Sequence, residues 1–168
     1  MPKRTLIACA LAGAALLAGT AGAATVQPVT WAAQTCTSLS TWQHALARRT
    51  AALGQSPATT HRQLLATLAQ LRADGIALGK AIDLAGTPAV PQGPAIQATI
   101  KQSVTAFNLA LVRDVQRAGS LSAAAEFAAI TSQGKAVGSA FIQLGTTYHQ
   151  PLLDQAIDQV PACALVHG

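Results

Sequence analysis

Apolar positions recur along this chain at steps of three and four, the period of a helix that buries one face. From Ser38 onward, Leu39, Trp42, Leu46 and Leu53 fall on one such face, with Arg48 and Arg49 turned away. Gly54 stops this first helix, and Ser56-Pro57 is a restart signal, a capping serine followed by proline at the first helical position. The second helix is predicted over Pro57 to Ala85, with Leu64, Leu68, Leu71, Gly75, Leu78 and Ile82 inward. The segment from Gly86 to Pro94 carries Pro88, Pro91 and Gly93 as well, and reads as a stiff loop.

Pro94 opens a third helix whose buried face is Ile96, Ile100, Val104, Phe107, Leu111 and Val115. Arg113 and Arg117 stand in its last turns, where a cation suits the helix dipole. Gly119 ends it, and Ser120 or Ser122 caps a fourth helix that keeps the rhythm through Phe127, Ile130, Gly134, Val137, Phe141, Leu144 and Tyr148. Pro151 interrupts, and a short fifth helix places Leu152, Leu153, Ile157 and Val160 inward before Pro161. Residues 24–35 hold Pro28 and show no clear period, so they are predicted to be an extended, poorly ordered lead. Nothing reads as a strand. The predicted class is all-α: an antiparallel four- to five-helix bundle over residues 36–168, its long helices joined by short links.

The first 23 residues follow a different grammar. Basic Lys3 and Arg4 precede an apolar run from Leu6 to Leu17, and Ala21-Gly22-Ala23 closes it. That is the form of a secretory signal peptide, with cleavage expected before Ala24. The apolar run is shorter than the roughly 20 residues a membrane-spanning helix needs. Nothing later reads as a transmembrane segment, so the expected location is secreted or extracytoplasmic, in association with the cell envelope.

Composition narrows the function classes. The formal charge is +5, and falls to +3 when Lys3 and Arg4 leave with the signal. The basic residues are scattered, and no Lys/Arg cluster is interleaved with aromatics, so no nucleic-acid partner is expected. Charged residues make up only 10% of the chain, which leaves Ala, Thr, Ser and Gln to cover the exposed faces.

Signal removal takes Cys9 and leaves Cys36 and Cys163. In an oxidising compartment such a pair reads as a disulfide; a metal site or redox motif would want the CxxC spacing that is missing. The bundle order returns the end of the chain to the level of the first helix, so topology also brings Cys163 to Cys36.

Catalytic chemistry needs converging titratable groups, and these are sparse. After the signal there are one glutamate, Glu126, and five aspartates, of which Asp154 and Asp158 share a helix face at four-residue spacing. His44, His61, His149 and His167 form no metal-binding motif. No catalytic residue, metal or cofactor is therefore expected. The unusual feature is glycine inside helices, Gly75 with Gly79 and Gly134 with Gly138. Gly75 and Gly134 sit on apolar stripes, at a cost of up to about 1 kcal/mol each relative to alanine. They either admit close packing, with Phe107 and Phe141 filling the space, or line a central apolar cavity together with those rings.

Cys36 followed by Trp42, the loop Gly86-Thr87-Pro88-Ala89-Val90-Pro91-Gln92-Gly93 and the late Pro161-Ala162-Cys163 resemble a loose group of small secreted helical proteins of unassigned function from high-GC Gram-positive bacteria. The resemblance implies a bundle and a disulfide, and carries over no catalytic residue. The expected function is a non-catalytic binding or interaction module at the cell envelope, its partner a protein or other envelope component. The alternative is a carrier of a small apolar ligand in a bundle cavity.

Overall fold

A computed structural model describes residues 24–54, 61–117 and 123–166. Residues 1–23, read above as a signal peptide, the Ser56-Pro57 restart, the Gly119 stop, the Ser120 or Ser122 cap and His167 lie outside the described residues. The elements run β1 (Thr25–Val26), α1 (Pro28–Gly54), α2 (His61–Leu84), β2 (Thr87–Pro88), α3 (Gly93–Arg117), α4 (Ala123–Ile142), α5 (Leu144–Thr147), α6 (Pro151–Gln159) and a 3-10 turn over Pro161–Leu165. This is the all-α bundle, closed by one disulfide between Cys36 and Cys163.

The four long helices form a closed square, each packed on its sequence neighbours and α1 on α4. Long-range pairs fix the antiparallel sense. Gln97 near the start of α3 bonds Ile82 near the end of α2, while Gly75 and Asn108 meet midway. Trp31 stacks on Phe141 at one level and Leu46 meets Gly134 at another, so α1 and α4 also run opposite ways. The inward stripe of α2 is Leu64, Leu68, Leu71, Gly75, Leu78 and Ile82. In α3, Ile96, Ile100, Val104, Phe107 and Leu111 are buried as their spacing requires, and Gln97, Ala110 and Asp114 join them.

The lead expected over 24–35 is mostly helix instead. α1 begins at Pro28, where a proline costs nothing because the first N–H groups of a helix have no partner within it. Trp31 is wholly buried, as are Ala32, Thr35 and Cys36, so this segment belongs to the core. Only 24–27 remain outside the helix, and even these are held. Thr25 and Val26 pair in parallel with Thr87 and Pro88, a two-residue contact absent from the helical reading. Thr87 and Ala89 donate backbone bonds to the carbonyls of Ala24 and Val26.

Gly86 makes that closure possible. Its φ of +73° turns the chain off the end of α2, and a Cβ there would press on the Ala24 carbonyl at 2.7 Å. The same corner is tied by side chains. The buried Trp31 Nε1 donates to the Gly86 carbonyl at 3.1 Å and to Gln97 Oε1 at 3.0 Å. Gln97 Nε2 in turn donates to the Ile82 carbonyl at 2.7 Å, satisfying a carbonyl that the last turn of α2 leaves open.

The fourth predicted helix breaks before Tyr148. α4 ends at Ile142, and the four-residue α5 follows after Gln143. Gly145 in α5 is buried under the Asp154 carboxylate and backbone of α6, so the bend lets α6 fold back onto the bundle. From there the 3-10 turn delivers Cys163 to Cys36.

Candidate functional site

The sites proposed from sequence separate cleanly. Cys36 and Cys163 are bonded, with Cα atoms 4.8 Å apart, and both are buried. They join α1 to the final turn across 127 residues of chain.

Two of the interior glycines, Gly134 and Gly75, are sites of close packing. A Cβ on Gly134 would overlap Leu46 Cδ2 and come within 3.7 Å of Trp42 Cη2, so α1 side chains already fill that space. A Cβ on Gly75 would overlap the Asn108 side-chain oxygen. Gly79 is different, since the nearest atom to its Cβ would be Val104 Cγ1 at an ordinary 3.9 Å. Gly138 is buried on the inner side of α4. The expectation that Phe107 and Phe141 occupy the vacated volume is corrected. Each ring pairs with a tryptophan of α1: Phe107 meets Trp42 edge-to-face at 4.8 Å between centroids, and Phe141 stacks on Trp31 at 5.7 Å. These pairs fill the bundle at two levels, and aromatic pairs of this kind add about 0.5–1.5 kcal/mol each beyond area burial.

Among the described residues, two open troughs lie between the long helices at the surface. One trough of about 340 Å³ runs along α1 and α2, with Trp42 and Leu78 among its lining and Ala45, Ala77, Ala81 and Asp74 beside them. A second of about 360 Å³ runs along α3 and α4 past Phe107 and Val137, with Arg113 and Gln133 also lining it. None of the interior glycines lines either trough.

The titratable groups stay apart. Among the described residues no group of three His, Cys, Asp or Glu could hold a metal ion. His44, His61 and His149 are exposed. Asp158 is exposed on α6, whereas Asp154 is half-buried over Gly145, so the pair does not converge on a shared site. Arg49 is not turned to solvent as its position on the helical wheel implied. It reaches across to α2, with Nε 2.7 Å from Asp74 Oδ2 and Nη1 2.7 Å from Gln70 Oε1. Five buried polar atoms lack hydrogen-bond partners among the described residues: Thr35 Oγ1, Trp42 Nε1, Asn108 Oδ1, Asp114 Oδ2 and Gln133 Oε1.

No helix among the described residues is long and apolar enough to cross a membrane. No family model, curated protein or solved structure matches the chain.

Proposed function

We propose that the protein is an extracytoplasmic, non-catalytic binding or interaction module that works at the cell envelope through its surface. The observation that carries this reading is the filled interior. Leu46 and Asn108 occupy the space beside Gly134 and Gly75, and the two Trp–Phe pairs occupy the levels between the helices. A bundle packed in this way offers a rigid outer surface for recognition. The disulfide suits an oxidising compartment, and the leader grammar of residues 1–23 suits export.

A second reading, a carrier of a small apolar ligand, draws support from Trp42 and Leu78 in the lining of the α1/α2 trough. Chemical cross-linking on intact host cells separates the two. The interaction reading expects a discrete, reproducible adduct between this chain and one envelope component. An uncross-linked protein that carries a stoichiometric apolar molecule would replace it with the carrier reading.

A further inference from the structure

The arginines are scattered in sequence but gathered by the fold. Arg48 and Arg49 lie in the last two turns of α1, Arg62 in the first turn of α2, and Arg113 and Arg117 in the last two turns of α3. The antiparallel order brings these helix ends to one pole. Arg72, the sixth arginine after the leader, stands halfway along α2. The other pole has no arginine among the described residues, and carries Asp83, Asp154 and Asp158 beside Lys80 and Lys101. Residues 55–60 and 118–122 contain no charged residue.

The acids on the arginine half are three against six arginines: Asp74, which Arg49 engages, Asp114, which is only 8% exposed, and Glu126 in α4. Arg48, Arg62, Arg72 and Arg113 are exposed and form no ion pair among the described residues. Helix dipoles account for a cation near the C-terminal ends of α1 and α3. They do not account for Arg62, which sits in the first turn of α2, where the dipole opposes a cation.

We propose that this pole is a docking surface for a phosphate-bearing anionic polymer of the envelope. Guanidinium groups present paired donors that match phosphate oxygens, and they stay charged at any accessible pH. A polymer fits better than a bilayer. The arginines are spread over three helices, and a chain can follow them around the end of the bundle. Among the side chains described in those terminal turns, no large apolar one is exposed to anchor in lipid; Leu109, one turn before Arg113, is a single exposed apolar residue near them, whereas Val29, Leu84, Leu152 and Leu165 are exposed towards the opposite pole. This inference rests on the binding-module reading and names the chemistry of its partner.

The test is titration of the mature protein with long-chain polyphosphate across a salt series. Two triple variants each remove three exposed cations, R48Q/R62Q/R113Q at the pole and K80Q/K101Q/K135Q elsewhere. Saturable binding that weakens with salt is expected for the wild type. The arginine variant should lose roughly tenfold or more and show a shallower salt slope, because each lost phosphate contact releases fewer counterions. The lysine variant should stay within about threefold of wild type, since net charge alone acts weakly at a distance in salt. Equal losses in both variants, or no saturable binding by the wild type, would overturn the proposal. Equally tight binding to phosphatidylglycerol vesicles would overturn the choice of a polymer over a bilayer. A protein that ignores polyphosphate yet still cross-links to an envelope component would refute this inference alone and leave the binding-module reading in place.

Discussion

Alanine and leucine placed at the helical glycines should shift stability in opposite directions, depending on what already fills the space. Gly79 is half-buried in α2, and a methyl there would meet Val104 Cγ1 at 3.9 Å. Gly79→Ala therefore gains helix propensity of about 0.8–1.0 kcal/mol without a clash. In a domain of this size that raises Tm by roughly 2–4 °C. At Gly134 the same methyl overlaps Leu46 Cδ2, and Leu46 is itself buried against the core. Displacing it offsets the propensity gain, so Gly134→Ala should fall at or slightly below wild type. Gly134→Leu adds three more carbons to a filled site and should destabilise by about 1–3 kcal/mol, the usual cost of overpacking. Gly75→Ala belongs between these extremes. The obstructing Asn108 oxygen has no hydrogen bond to lose, and its half-buried side chain can swing away. Paired urea denaturation and calorimetry give the order directly. A neutral or stabilised Gly134→Leu would refute the packing argument, because it would mean that Leu46 and Trp42 leave room for a whole side chain.

Three further outcomes follow from the corner where α1, α2 and α3 meet and from the cross-link. Gln97→Ala removes the donor to the Ile82 carbonyl and opens space beside Trp31, so it should cost about 2–4 kcal/mol by denaturation; a loss under 1 kcal/mol would show that the carbonyl finds another partner. In amide exchange, Thr87 and Ala89 should be protected in the mature chain and lose protection in a variant beginning at Pro28, because their acceptors are Ala24 and Val26; unchanged rates would contradict the β1–β2 pairing. Cys36→Ser with Cys163→Ser should lower stability by up to about 5 kcal/mol, the chain-entropy value for so long a loop. Intact stability in the double variant would mean that the bundle is pinned by packing alone.

Much of this fold is legible in residue spacing. The inward stripe of α2 and the five large apolar residues of α3 can be read directly, because Leu, Ile, Val and Phe recur there without interruption. The start of α1 is hidden for a physical reason. Its buried positions at 32 and 35 are taken by Ala32 and Thr35, which are small enough to approach the disulfide and the neighbouring helices but carry little hydrophobic signal. Pro28 then suggests extended chain when it marks a helix start. The break before α5 depends on Gly145 meeting Asp154, and the β1–β2 pair on Ala24 meeting Gly86; neither meeting leaves a local periodicity. The glycines were legible as unusual, but their occupants were not. Leu46 and Asn108 come from other helices, and only the packed arrangement says which side chain reaches each gap. The arginine pole is hidden in the same way, since its members lie on three helices and meet only through topology.

Native mass spectrometry of the protein purified from its own host tests the central claim most directly. A surface-acting bundle with a filled interior should appear at the mass of residues 24–168 with one disulfide, and with no small molecule retained. A stoichiometric apolar adduct that survives gentle desolvation and leaves on unfolding would contradict the account and put the carrier reading in its place, with the α1/α2 trough beside Trp42 and Leu78 as the seat of the ligand.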